Sequence, residues 1–239
     1  MEKTVCYFAT RNVYVDVVPS LKSLLKNGNI DRVCILAEDD DLGFDLPAKV
    51  AVYNVKAVRN KLLDPDGPNY SCRWTYMILL KVALAKIFPR MHRVLTLDND
   101  TIVRGDLSAL WDLPYDNVPK YGNIYYWGVR EPYWTAVLQR NYANAGVLMW
   151  NLDRMRNGMA DAVLQALNTT KYTFPEQDCL NDICRGQFGL MDAAYNAGDW
   201  TEAPKSEIRI RHYMATKGMW RHVQEVQDYR NMTWEEVVK

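Results

Sequence analysis

Short apolar runs alternate along this chain with segments of helical period, and that alternation limits the fold more than any other feature. Val5 to Ala9 is a continuous apolar strand, and Val17 to Leu25 follows with Val18, Leu21, Leu24 and Leu25 at helical spacing. Val33 to Ala37 is a second strand, ending in the acidic stretch Glu38 to Asp41, and Val50 to Val55 is a third. Asn60 to Tyr70, rich in Pro, Gly, Asp and Asn, is a loop able to order over a ligand. A helix is predicted from about Trp74 to Phe88, ending at Pro89, then a strand at His92 to Leu97. Ala145 to Trp150 is another buried strand, and Leu152 to Leu167 an amphipathic helix. This order predicts an α/β fold whose mixed, mainly parallel sheet is flanked by helices, with ligands at the carboxyl ends of strands. No repeat or polar linker divides the 239 residues, so residues 1–239 are expected to form a single domain.

Charge and cysteine content exclude several classes. Lys plus Arg and Asp plus Glu both number 29, so attraction of the whole molecule to nucleic acid or an anionic membrane is not expected. Five cysteines without a C-x-x-C pair suit a reducing compartment, and the N-terminus lacks the pattern of a secretion signal. The most apolar stretch, Tyr76 to Phe88, is interrupted by Lys81 and Lys86 and is too short to span a bilayer. The expected location is the cytoplasm.

The densest chemistry lies at Leu95-Thr-Leu-Asp98-Asn99-Asp100-Thr-Ile-Val103. Two carboxylates one residue apart at the end of an apolar strand can converge on a hard divalent cation that keeps open positions for substrate phosphates. A strand ending in an acidic turn is the plain alternative. A phosphatase with an aspartate nucleophile normally carries Thr or Val four residues after the first Asp and has the motif at its start, whereas Ile102 stands there and Asp98 is internal.

The surroundings of this triplet extend the signal. The stretch from Lys81 through Asp98-Asn-Asp100-Thr-Ile-Val-Arg-Gly-Asp106 to Trp111-Asp-Leu113 resembles glycosyltransferase family 8, the retaining enzymes that include glycogenin and bacterial lipooligosaccharide galactosyltransferases. Three later segments are similar to family blocks and occur in the family's order. Tyr142-Ala-Asn144-Ala145-Gly146-Val resembles F-N-A-G-V, Gln177-Asp178-Cys-Leu-Asn181 falls in the D-Q-D-x-L-N block, and His212-Tyr-Met-Ala-Thr-Lys217-Gly-Met-Trp220 resembles the terminal H-F/Y-x-G-x-x-K-P-W block. The resemblance runs from Phe8 to Trp220 and implies one Rossmann-like, nucleotide-sugar-binding domain of GT-A type.

The resemblance also implies roles. Asp98, Asp100 and His212 would bind Mn2+, with Mg2+ the alternative, and the metal would bridge the diphosphate of a UDP-sugar. Ala9, Thr10, Tyr14, Lys81, Asn99, Asn144, Ala145, Gly146 and Lys217 join Asp98 as donor-binding positions, and Gln177 and Asp178 are the catalytic pair at the reacting face of the sugar. The bland readings are an exposed helix lysine for Lys81, a packing residue for Tyr14, a tight turn before a strand for Asn144 to Gly146, and helix-dipole complements at a helix opened by Pro175 for Glu176 and Asp178. A carboxamide is a poor nucleophile, so the expected mechanism is same-face attack through an oxocarbenium-like ion pair rather than through the two-carboxylate pair of retaining hydrolases.

Several positions depart from the family. Arg11 stands where an acid commonly follows the first strand, Ala215 replaces the usual Gly, and Lys217-Gly-Met-Trp220 replaces K-P-W. The expected activity is Mn2+-dependent transfer of a hexose, glucose or galactose, from UDP to an unidentified glycan or other hydroxyl acceptor. The alternative is a non-catalytic nucleotide-sugar or glycan-binding protein of the same fold. Tyr125, Tyr126, Trp127, Tyr133 and Trp134 are candidates to stack on a sugar ring or to pack in the core.

Overall fold

β1 (Thr4–Ala9) is buried along its whole length, and β2 (Arg32–Ala37) is buried after its first residue. Strands without a polar face belong in a sheet covered on both sides, the usual setting of parallel pairing. The two strands do pair in parallel, Thr4 opposite Arg32 and Ala9 opposite Ala37. The structure, a computed structural model, describes residues 1–201, 203–214 and 218–238. The remaining strands are β3 (Val50–Asn54), β4 (Arg93–Leu97), β5 (Thr101–Val103), β6 (Tyr126–Arg130), β7 (Ala143–Asn151), β8 (Gly189–Met191) and β9 (Ile210–His212). Seven of them form a mixed sheet in the order β3-β2-β1-β4-β7-β6-β8, with β6 antiparallel to β7 and parallel to β8. β5 and β9 make a separate antiparallel pair. The predicted α/β class and mixed sheet are what the chain adopts.

The chain forms two compact units. The first comprises Met1–Tyr53, Leu97–Leu113 and Asp192–Lys239. Its long helix, Tyr14–Asn27, turns Leu21 and Leu24 fully inward, as their spacing predicts, and Val17 with them, whereas Val18 and Leu25 of the predicted stripe are only half-buried. The helix Gln224–Asn231 sends Val226 into a cluster with Ile102, Tyr213 and Trp220. There the Arg104 guanidinium forks onto Glu225, with Nε and Nη2 at 2.8 and 2.6 Å from its two oxygens, and the Tyr213 hydroxyl donates to the same carboxylate at 2.9 Å.

Burial pushes the Glu225 carboxyl up, but bonds from Arg104 and Tyr213 outweigh it and leave the group below the usual glutamate range. A depressed folded-state pKa means stability that is present above the unfolded value and lost as pH falls through the folded one. Glu225→Gln is therefore expected to cost about 1–3 kcal/mol at neutral pH. Its gap to the parent should close as pH drops below about 4, which thermal melts at pH 7 and pH 3 will show.

The second unit comprises Asn54–Thr96 and Pro114–Met191. All nine residues of β7 are buried, and the Trp150 indole N–H donates to Thr96 Oγ1 at 3.0 Å. Tyr126 stacks on Phe188 with the ring centroids 5.3 Å apart. Two predicted helices differ in detail. The segment expected as a helix from Trp74 to Phe88 is a 3-10 helix over Tyr76–Ala83 followed by one α-helical turn, Leu84–Ile87. Seven of the eight 3-10 residues are buried, so packing on every side sets the winding rather than an amphipathic stripe. The helix expected from Leu152 to Leu167 breaks at Asn157 and Gly158, where Gly158 has φ of +93°, and resumes as Ala160–Thr169.

The predicted loop is shorter than Asn60 to Tyr70, because a helix, Lys56–Leu62, takes its first residues. The rest is tethered. Asn69, fully buried, donates to the carbonyls of Leu167 and Thr170, and Asn168 Oδ1 accepts from the Asp64 N–H at 3.0 Å. Asn69 thereby serves carbonyls that a helix C-terminus leaves without partners.

Candidate active site

In the first unit, the acidic turn is held by a buried chain of hydroxyls. Thr101 Oγ1 donates to the Asp98 carbonyl at 2.8 Å and therefore accepts from Ser20, 2.8 Å away. Ser20 in turn accepts from the Tyr7 hydroxyl at 2.9 Å. The chain ties the D-x-D turn to β1 and to the helix Tyr14–Asn27, and burial pushes the Tyr7 phenol pKa upward so that it remains a donor.

β5 leaves that turn and pairs with β9, so that His212 lies directly opposite Thr101 and the Tyr213 N–H donates to the Asp100 carbonyl at 2.9 Å. This register carries the imidazole to the two carboxylates. His212 Nε2 lies 3.1 Å from Asp100 Oδ1 and 3.8 Å from Asp98 Oδ2. The Asn196 side-chain oxygen can only accept, so at 2.8 Å it takes the proton of His212 Nδ1 and leaves Nε2 facing the acids. One ligand atom from each of Asp98, Asp100 and His212 lies within 4.8 Å of the others. Two carboxylates with an imidazole nitrogen oriented from behind fit a divalent cation with open coordination positions.

Asn99, between the two acids, donates to the Phe8 carbonyl at 3.3 Å, and its buried Oδ1 has no hydrogen-bond partner among the described residues. Beside it, Ala9 ends β1, and Thr10 Oγ1 turns to Asn12 Oδ1 at 2.5 Å. The Tyr14 hydroxyl is buried in the loop after β2, accepting from the Glu38 and Asp39 N–H groups at 2.9 and 3.0 Å and donating to Asp39 at 3.1 Å. Arg11, at the position where the resemblance expects an acid, forks onto the same Asp39 at 2.8 and 2.6 Å. Lys217 lies outside the described residues.

In the second unit, the other predicted residues converge. Lys81 is 2% exposed rather than an exposed helix lysine; it donates to the Ala145 carbonyl at 3.2 Å and pairs with Glu176 at 3.4 Å. A buried ammonium needs such partners. Asn144 to Gly146 lie within β7 and not in a turn before it. Gln177 Oε1 accepts from the Asn144 amide at 3.1 Å and from the Ala145 N–H at 3.0 Å. Its Nε2 donates to the Tyr142 hydroxyl at 3.1 Å, which itself donates to Asp178 Oδ1.

The helix Pro175–Ile183 opens at a proline, as expected, and Asp178 Oδ2 accepts the Phe174 N–H at 2.7 Å. Asp178 thus caps its own helix while its other oxygen faces Tyr142. Asn181 fastens this helix to β7, accepting the Ala143 N–H at 2.7 Å and donating to the Ala143 and Gln177 carbonyls at 2.8 Å. Sequence reasoning assigned no role to Tyr142, Asn181 or Asn196, and gave Glu176 only that of a helix-dipole complement. Tyr142 and Asn181 sit inside the quoted blocks, whereas Asn196 carries no local signal. Of the stacking candidates, Tyr126 and Trp127 are buried in the core, while Tyr133 is exposed and Trp134 half-buried.

Among the described residues no helix is long and apolar enough to cross a membrane. Comparison with curated protein sequences returns no match. Among solved structures, the apo form of GlyE from Streptococcus pneumoniae TIGR4 has a TM-score of 0.72 and 17% identity, covering 100% of this chain and 62% of GlyE. The apo bifunctional glycosyltransferase WbbM gives 0.69 and 15%, covering 99% of this chain and 51% of WbbM. Galactosyltransferase LgtC in complex with donor and acceptor sugar analogues gives 0.66 and 15%, covering 97% and 98%. The chain therefore spans about half the length of WbbM and less than two thirds of GlyE. At these identities the likeness establishes the fold, which is of GT-A type. Residues 7–222, carrying the acidic turn, His212 and the Gln177 cluster, match the sequence profile of glycosyl transferase family 8, and the chain belongs to that family.

Proposed function

We propose that this protein transfers a hexose, glucose or galactose, from a UDP-sugar to a hydroxyl acceptor with retention of configuration, and that Mn2+ is its metal. The observation that carries this is the convergence of Asp98, Asp100 and His212. A bound divalent cation supplies charge stabilisation to the leaving diphosphate. The imidazole favours Mn2+ over Mg2+, which prefers an all-oxygen shell. The protein's own residues do the rest. Asn196 holds the His212 tautomer, and the Asn99 oxygen offers an acceptor for a hydroxyl or N–H of the nucleotide, beside Ala9, Thr10 and Tyr14. Asn144, Ala145 and Gly146 line the donor sugar, with Lys81 holding β7 against Glu176, and Lys217 adds a positive contact on the diphosphate.

Gln177 gives both lone pairs of its oxygen to Asn144 and Ala145, which supports an orienting role and not a nucleophilic one. Asp178 keeps further acceptor capacity for sugar hydroxyls. The acceptor then attacks the face that the diphosphate leaves, and its proton passes to the departing phosphate. Residues 1–239 form one catalytic domain in this reading. Five cysteines without a disulfide framework support a cytoplasmic setting.

The test is UDP release from UDP-glucose and UDP-galactose with Mn2+, with Mg2+ and with chelator, followed by NMR of the product anomer. Metal-dependent release with retention is the expected result; an inverted product overturns the mechanism, and no turnover of any nucleotide sugar overturns the activity. Mn2+-dependent thermal stabilisation by UDP without turnover would leave the binding-protein alternative, which the Arg11–Asp39 pair motivates. Asn196→Leu should weaken Mn2+ binding about 10–100-fold, the usual effect of losing a group that orients a metal-bound histidine, as read by calorimetric titration.

A further inference from the structure

Besides its buried stripe, the helix Tyr14–Asn27 carries Val15, Val18 and Lys22 at i, i+3 and i+7, a second line along one side, and Val15 is 61% exposed. Three side chains from elsewhere in the first unit close around that line: Phe44 from the loop between β2 and β3, Arg230 near the end of the helix Gln224–Asn231, and Trp234. Together the six residues line an open cavity of about 320 Å³, the size of a small-ligand pocket. None of the residues given to the metal, the donor or the Gln177 cluster lines it.

Local bonds place the walls. Gly43, at φ of +82°, donates its N–H to Asp41 Oδ1 at 2.8 Å, a turn that delivers Phe44. A capping box starts the short helix Trp234–Val237: the Thr233 N–H donates to Glu236 Oε2 at 2.7 Å, and the Glu236 N–H to Thr233 Oγ1 at 3.3 Å. Trp234 is therefore held as the first residue of that helix. Lys22, 6% exposed, donates to the Arg230 and Met232 carbonyls, and its ammonium lies 5.1 Å from the centroid of the Trp234 ring.

The charge around the cavity is unbalanced. Two of the six lining residues are cations and none is an acid. The Lys22 ammonium bonds carbonyls, whereas Arg230 is poorly matched. Its Nη2 stands 3.7 Å from Asp16 Oδ1, beyond hydrogen-bond reach, because Arg221 already takes both Asp16 oxygens at 2.8 and 2.6 Å. The Nε and Nη2 groups of Arg230 have no hydrogen-bond partner among the described residues. One carboxylate between two guanidiniums leaves positive charge in excess beside apolar walls.

From this combination we infer that the cavity binds a hydrocarbon chain ended by one anionic head, as a free fatty acid is, with the head on Arg230 and the chain among Val15, Val18, Phe44 and Trp234. A guanidinium is weakly hydrated and pairs well with a carboxylate, so it suits an anion delivered by an apolar body. A neutral hydrocarbon leaves the Arg230 charge unmatched, and a small hydrophilic anion leaves the apolar walls wet. The site stands apart from the transfer reaction and does not rest on it.

The test is calorimetric titration of the full chain with decanoate, below its micelle-forming concentration, and with decan-1-ol. Decanoate should bind at least about tenfold more tightly than the alcohol, and Arg230→Gln should bring the two to equal affinity. Val15→Glu changes an exposed position and sets a carboxylate beside Arg230 in place of the ligand's own; it should weaken decanoate at least about tenfold. Val137→Ser, at an exposed position of the second unit, is the control and should bind as the parent does. Co-sedimentation with phosphatidylcholine vesicles containing phosphatidylglycerol separates a free acid from a membrane lipid: a parent that pellets with the vesicles yet binds no decanoate overturns the inference in favour of a membrane surface. No binding of decanoate, equal affinity of the parent for the alcohol, a preference for decanoate kept in Arg230→Gln, or unchanged binding by Val15→Glu overturns it as well.

Discussion

Asp100→Asn should lose about a thousandfold in metal-stimulated turnover of the UDP-sugar while keeping its fold. Stabilisation of a developing charge by a bound cation is worth several kcal/mol, and each 1.36 kcal/mol is tenfold in rate. The substitution preserves shape and removes one of the two carboxylates that would hold the proposed cation together with His212 Nε2, which lies 3.1 Å from Asp100 Oδ1. Asparagine also places an NH2 where a lone pair is required. Asp98→Asn should behave alike, and the double variant should cost little more than either single one, because the ligands act as a unit. Rates with Mn2+ and with chelator, alongside Mn2+-dependent thermal shifts, read the effect. Undiminished metal stimulation in either variant would remove Asp98 and Asp100 from the centre.

Gln177→Ala is the second large effect, a loss of about a hundredfold in kcat, the scale of a misplaced reacting group. Tyr142→Phe should lose a comparable factor, because Tyr142 joins Gln177 to Asp178. Its hydroxyl takes the Gln177 amide proton and gives its own to Asp178, so removing one oxygen strands two groups. Burial and the hydrogen bond to Asp178 both push the Tyr142 phenol pKa upward, so it stays a neutral donor throughout the working range. The parent's rate should therefore show no tyrosine titration below about pH 10. The double variant Gln177→Ala/Tyr142→Phe should fall short of the product of the single losses, as groups in one network do. Wild-type rates in Gln177→Ala would overturn the role given to it.

The features that were legible are those written locally. β1 and β2 could be read because strands buried on both faces are continuous apolar runs. Asp98 and Asp100 could be read because one strand end holds both. Pro175 announced the helix that carries Gln177 and Asp178. Lys81 was not decidable from its neighbours, since a lysine in an apolar run is either a helix's wet edge or a buried charge. Only the arrival of Glu176 and the Ala145 carbonyl decides for burial. Tyr126 and Trp127 showed the same ambiguity with Tyr133 and Trp134, and cross-strand packing sent the first pair into the core.

Residue types and their spacing determined the fold class, the acidic turn and the ordered blocks that mark the family, because each depends on a few adjacent side chains. Tertiary structure alone decided that His212 faces Asp100, that Asn196 sets its tautomer, and that Tyr142 joins Gln177 to Asp178. Those pairings depend on strand register between segments far apart in the chain: β9 against β5 for the histidine, and Asn181 pinning a helix to β7 for the Gln177 cluster. Register is a property of the assembled sheet, so no single stretch of sequence carries it.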